Sequence, residues 1–184
     1  MWMKKALIFG LITFSLLPLT AQFVSADVQV SGLTCSLCSR STEMAIRELD
    51  FISDVEVDLN RALFVLRFVE GKDIDMDQIP RQVEAAGFSV SGLTARYKLA
   101  KPIKAEPHQP IQLAGKYYHL MGDDARVFEK EIALTFIDKQ YVSNKTYKTY
   151  QKNNPPPCYK TGFVVPEECP HQLPAKTRIY HITL

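Results

Sequence analysis

Apolar and polar residues follow two rhythms along this chain, and the changes of rhythm mark its elements. From Asp27 to Leu33, Val28, Val30 and Leu33 are separated by Gln29, Ser31 and Gly32, which predicts a short strand ending in a glycine turn. From Ser36 to Leu49 the period becomes helical. Cys38, Thr42, Ala45, Ile46 and Leu49 share one face, and Arg40, Glu43, Arg47 and Glu48 take the other. Ile52 to Leu59 alternates again, with Val55, Val57 and Leu59 against Asp54, Glu56 and Asp58. Asn60-Arg61 makes a short connection to a second strand, Leu63 to Val69, rich in β-formers. A polar loop, Gly71 to Asp75, leads to a helix over Asp77 to Ala86. Pro80 sits in its first turn, where a missing amide hydrogen costs little, and Gly87 ends it. Phe88 to Leu93 is the closing strand. The order β-α-β-β-α-β is that of a ferredoxin-like α+β sandwich.

After this unit the pattern is less regular. Residues 95–110 carry Pro102, Pro107 and scattered lysines and read as a linker. Ile111 to Met121 and Val127 to Val142 are alternating, aromatic-rich runs separated by a turn at Gly122-Asp123-Asp124. Ser143 is placed to cap a short helix from Asn144 to Lys152. The proline-rich stretch Asn153 to Pro174 excludes continuous helix or sheet, and Thr177 to Leu184 alternates as a final strand. Residues 111–184 are therefore expected to form a second small β-rich domain with one helix.

The first residues change the compartment. Met1-Trp2-Met3-Lys4-Lys5 is basic, Ala6 to Leu19 is almost wholly apolar, and Val24-Ser25-Ala26 ends in a small residue. This is the layout of a signal peptide over residues 1–26, with Leu19-Thr20-Ala21 a second match to the small-residue rule. The expected location is periplasmic or secreted. Residues 27–93 hold 12 acids and 6 bases, a net of −6, while residues 94–184 hold 8 acids and 14 bases, a net of +6. The opposite charges suit two units with different partners or two that dock on each other. The bases are scattered and the chain is read as exported, so nucleic acid is not an expected partner.

Cys35 and Cys38 carry the most specific chemistry. The first lies in a loop and the second in the first turn of a helix, so both sulfurs can face one point. The unpaired amide hydrogens and the positive dipole end of the helix favour thiolate. Two soft sulfurs without a hard ligand favour Cu(I) or another thiophilic ion. No second Cys-x-x-Cys or adjacent histidine completes a four-ligand zinc site. The same spacing also suits a thiol-disulfide redox pair or a structural disulfide.

Here the chain resembles the heavy-metal-associated domain family, which includes small copper chaperones, the N-terminal modules of copper-transporting P-type ATPases and the periplasmic mercury-binding protein. The resemblance covers residues 27–94. It rests on Gly32-Leu33-Thr34-Cys35-Ser36-Leu37-Cys38, on Thr42-Glu43, Ala45-Ile46 and Leu49, on Val55-Glu56-Val57-Asp58-Leu59, and on Val83-Glu84-Ala85-Ala86-Gly87-Phe88. It departs at Leu33, Ser39 and Phe51, where methionine, alanine and glycine are usual. The resemblance implies that Cys35 and Cys38 bind metal and that Phe88 shields the site. The cargo expected is Cu(I), with Hg(II) and Zn(II) as alternatives. The partner expected is a metal transporter, an efflux component or a recipient metalloprotein, with membrane contact only through that partner.

The remaining candidates are thinner. Cys158 and Cys169 bracket a proline-rich loop and are expected to pair as a structural disulfide. His171 beside Cys169, and His119 with Met121, are candidates for a second ligand set. No nucleophile, base and acid come together in the sequence, so the chain is expected not to be an enzyme. The alternative function is redox exchange at the same Cys35/Cys38 pair.

Overall fold

The computed structural model describes residues 21–107, 109–122, 125–153, 155–166 and 173–184. The first six elements are β1 (Gln22–Ser31), α1 (Ser36–Arg47), β2 (Ile52–Asp58), β3 (Leu63–Phe68), α2 (Gln78–Ala85) and β4 (Ser89–Lys98). They follow the expected β-α-β-β-α-β order, with the two helices on one face of the sheet. α1 buries Ser39, Thr42 and Ile46, and α2 buries Ile79, Pro80 and Val83. Phe51, at the position where glycine is usual, is fully buried and tilts against Phe68 at 6.2 Å between ring centroids. The substituted turn thus contributes a core side chain.

β1 begins five residues before the start expected from the alternation. Phe23 and Ala26 are buried, and Phe23 meets Tyr97 edge-on at 4.8 Å. Residues 22–26 pair with β4 from Gln22↔Lys98 to Ala26↔Ala95. An irregularity between Phe23 and Ser25 turns both Ser25 and Ala26 inward. It breaks strict alternation, which is why the segment reads from sequence as the end of an apolar leader. Residues 22–26 are therefore part of the folded sheet and not only of a leader.

The later elements are β5 (Ile103–Ala105), β6 (Pro110–Leu113), β7 (Lys116–Leu120), β8 (Arg126–Phe128), β9 (Glu131–Phe136), α3 (Asn144–Lys152), α4 (Cys158–Thr161) and β10 (Ile179–Thr183). α4, a single turn, adds to the one helix expected. The stretch read as a linker is largely structured: β4 runs on to Lys98, and β5 pairs with β8. β5 and β8 form a separate two-stranded sheet, whereas β6, β7, β9 and β10 extend the sheet of the first unit. β9 pairs antiparallel with β4 from Leu93↔Phe136 to Lys98↔Glu131. The result is one eight-stranded sheet in the order β2-β3-β1-β4-β9-β10-β7-β6.

β10 lies inside this sheet, antiparallel to β9 and parallel to β7, and Ile179 to Ile182 are all buried. Tyr180 and Ile182 join a core that runs unbroken from Phe23, Val28 and Phe64 to Tyr118 and Phe136. Tyr118 stacks on Tyr180 at 5.3 Å and meets Phe136 edge-on. A separate cluster of Ile137, Val142, Tyr147 and Tyr159 holds α3 and α4 to the end of β9.

Side chains reinforce the junction. The Asp77 carboxylate, just before α2, accepts hydrogen bonds from Arg178 Nε and Nη2 (both 3.0 Å), Gln140 Nε2 (2.6 Å) and the Tyr141 hydroxyl (2.5 Å). Burial pushes this carboxyl up, but the bonds from Arg178, Tyr141 and Gln140 outweigh it and hold the group below its ordinary range. Burial likewise works against the Arg178 guanidinium, and Asp77 and Asp138 more than restore its charge. Lys116 adds a second tie, donating to Asp73 and to the Ile74 carbonyl.

Candidate metal site

The site is built where β1 runs into α1. Gly32 has φ +93°, a conformation that side chains rarely adopt, and turns the chain out of the strand. A Cβ at Gly32 would lie 3.6 Å from Phe88 Cδ1, an ordinary contact, so Phe88 lies against the loop and it is the backbone conformation that calls for glycine. Leu33 packs half-buried on the core, as an apolar residue there is expected to.

Cys35 is the N-cap of α1, with extended backbone. Its sulfur accepts the Cys38 amide at 3.2 Å, and its carbonyl accepts the Ser39 amide at 3.2 Å. Cys35 is exposed and Cys38 half-buried. The two are bridged as a disulfide, with their Cα atoms 5.2 Å apart. Reduction would leave two sulfurs on one turn, at the amide-rich end of a helix, which favours thiolate, the form that binds a soft cation. The donor set and its spacing fit a two-coordinate soft ion. Thr42 returns its hydroxyl to the Cys38 carbonyl at 3.0 Å, tying the cysteine turn to the next.

The second-unit candidates are placed differently. His119 is fully buried on β7 and lies against His181 of β10, with ring centroids 5.5 Å apart. Met121 follows the end of β7 and packs half-buried on the Ile137 cluster. Cys158 is buried with Val164 and Ile179. Cys169 and His171 lie outside the described residues. Among the described residues no group of three or more His, Cys, Asp or Glu side chains is arranged to hold a metal ion.

Sequence reasoning missed the partner of His181. Asp138 accepts its backbone amide at 3.0 Å and lies 2.7 Å from Nδ1. The two residues are 43 apart in the chain and meet only because β9 and β10 are neighbours. Asp77 and Arg178, 101 residues apart, were missed for the same reason.

Residues 27–89 match the model of the heavy-metal-associated domain. The probable copper-exporting P-type ATPase of Archaeoglobus fulgidus is 38% identical over 63 residues, which is 34% of this chain and 8% of that protein. The chain thus spans under a tenth of that relative's length. Among solved structures, the CopZ metallochaperone is 21% identical, covering 36% of this chain and 97% of its own, with a TM-score of 0.33. Oxidized MerP from Ralstonia metallidurans CH34 is 26% identical, covering 39% and 96%, also with a TM-score of 0.33. Residues 27–89 of this chain are a heavy-metal-associated domain, with Cys35 and Cys38 at the turn from its first strand into its first helix.

Proposed function

We propose that the chain is an exported, non-enzymatic carrier that captures Cu(I) with the thiolates of reduced Cys35 and Cys38 and hands it to a transporter, an efflux component or a recipient metalloprotein. The observation that carries this reading is the pair of cysteines on one helix-starting turn, with Cys35 open to solvent. Hand-over is a ligand exchange. A partner thiolate forms a bond to Cu(I), one copper–sulfur bond to Cys35 or Cys38 breaks, and the released thiolate takes a proton from solvent. No oxidation state changes. Phe88 beside the loop would keep water from the ion. Hg(II) and Zn(II) are the alternative cargoes, and the all-sulfur donor set favours the softer ions.

Export requires a leader that leaves the sheet intact. Cleavage after Ala26 would remove Phe23 from the core, whereas cleavage after Ala21 starts the mature chain at Gln22, the first residue of β1. The later charge and strand pattern is unaffected by this choice.

The test is Cu(I) titration of the reduced chain against a competing chelator. One ion per chain is expected, with affinity lost in a Cys35→Ser, Cys38→Ser double variant. Equal affinity in both proteins would refute the carrier reading. The bridged state of Cys35 and Cys38 favours a second reading, in which the pair cycles between dithiol and disulfide. Catalytic turnover of a model disulfide, abolished by Cys35→Ser, would select it.

A further inference from the structure

The groove beside the metal loop has one wall from each half of the chain. Ser31, the last residue of β1, and Ser89 and Val90, the first of β4, form one side with Glu84 of α2. Lys139, Gln140, Val142, Ser143 and Asn144, which follow β9, form the other. Its volume is about 510 Å³. Ser31 immediately precedes Gly32, and Ser89 immediately follows Phe88, so the groove opens one residue from the metal loop on both strands. In the sheet, β9 is separated from β1 only by β4.

The far wall is basic. Lys139 lines the groove, and Lys145, Lys148 and Lys152 continue from it along α3. At 100° per residue these three fall within an arc of about 60°, opposite the buried Tyr147. All four lysines are exposed, and no Asp or Glu occurs from Lys139 to Lys152. Among the described residues none of the four forms an ion pair with a carboxylate, whereas Arg178 and Lys116 of the same half do. The single acid on the groove is Glu84 of the opposite wall. An unpaired cationic row beside a site of metal exchange favours a partner of opposite charge.

We propose that this groove and the lysine face of α3 dock an acidic segment of the protein that exchanges metal with Cys35 and Cys38. The partner's role in metal exchange rests on the function proposed above; the docking of an acidic segment does not. A glutamate-rich peptide and a matched peptide with glutamine at the same positions, both fluorescently labelled, are titrated with the metal-free chain at low and physiological salt. The acidic peptide is expected to bind and to weaken with salt, and affinity should fall at least ~10-fold in a Lys145→Glu, Lys148→Glu, Lys152→Glu variant. A Lys98→Glu, Lys101→Glu control, on the strand end away from the groove, should bind like the wild type. The proposal is overturned if the wild type binds neither peptide, if the glutamine peptide binds as tightly, if the triple variant keeps its affinity, or if the control loses as much. Cu(I) titration of the same samples separates the two ideas. Loss of copper binding with intact peptide binding removes the carrier function alone, and the converse removes the docking groove alone.

Discussion

Replacing Asp77 by asparagine keeps its volume and one acceptor oxygen but removes the charge opposite Arg178. The pair is well enclosed, with side chains 14% and 20% exposed. Arg178 would keep its charge with the Asp138 carboxylate at 3.9 Å as the nearest remaining anion. Breaking a buried pair in this way typically costs about 3–5 kcal/mol, and the retained amide oxygen places Asp77→Asn near the lower end. Arg178→Met should cost less, about 2–3 kcal/mol, because Tyr141 and Gln140 still satisfy the carboxylate. A double-mutant cycle should then show coupling of about 2 kcal/mol. Trp2 is the single tryptophan and lies outside the described residues, so urea unfolding is best followed by far-UV circular dichroism and tyrosine fluorescence. Both probes should give one coincident transition, since one core crosses from β1 to β10. The carboxyl is held low in the folded chain, so its contribution is present above the unfolded value of about 3.9 and is lost as pH falls through the folded value. The gap between wild type and Asp77→Asn should therefore narrow in acid. Additive single effects, within about 0.5 kcal/mol, would refute the clamp.

Mass spectrometry of exported protein should give Gln22 as the first residue. A chain begun at Asp27 lacks the buried Phe23 and its ladder to β4, and should lose about 3–5 kcal/mol in chemical denaturation, the usual cost of deleting a core phenylalanine. A mature chain beginning at Asp27 with full stability would refute the assignment of residues 22–26 to the core. Gly162 closes α4 at φ +73°, and a Cβ there would lie 2.6 Å from Arg178 Nη1. Gly162→Ala should cost about 1–2 kcal/mol for the backbone alone and more if Arg178 is displaced, measured by the same urea method; a loss no larger than the backbone cost would show that Arg178 is not fixed where the Asp77 bonds place it.

The first unit was legible because its signals are local. Gly32, Cys35, Cys38 and Gly87 each act within one turn, and the faces of α1 and α2 follow the 3.6-residue period. The second unit was half legible. The Ser143 cap does accept the Thr146 amide, and α3 spans the expected residues. What failed was the assignment of neighbours. Alternation shows that Glu131 to Phe136 is a strand, but not that its partner is β4. Thr177 to Leu184 reads correctly as a strand, but β10 inherits its environment from strands more than forty residues away, and alternation does not show that both of its faces are buried. Asp77, Asp138, Arg178 and His181 are ordinary residues in the sequence and become specific only when β9 and β10 are inserted beside β4.

That insertion also bears on the exchange site. A second unit on a flexible linker would sample many positions and leave the loop at Cys35 as accessible as in an isolated domain. Here β9 is hydrogen-bonded to β4 over six residue pairs, and Asp77 ties α2 to Arg178, Gln140 and Tyr141. The wall that carries Lys139 and α3 is therefore held at a fixed offset from Cys35 and Cys38. Ser31 and Ser89, next to the metal loop, share a groove with that wall, while α1 presents Leu37 and Met44, 78% and 57% exposed. The loop is thus flanked by an apolar edge and a cationic edge. A partner that matches both in one orientation gains specificity from geometry the heavy-metal-associated domain alone would not supply.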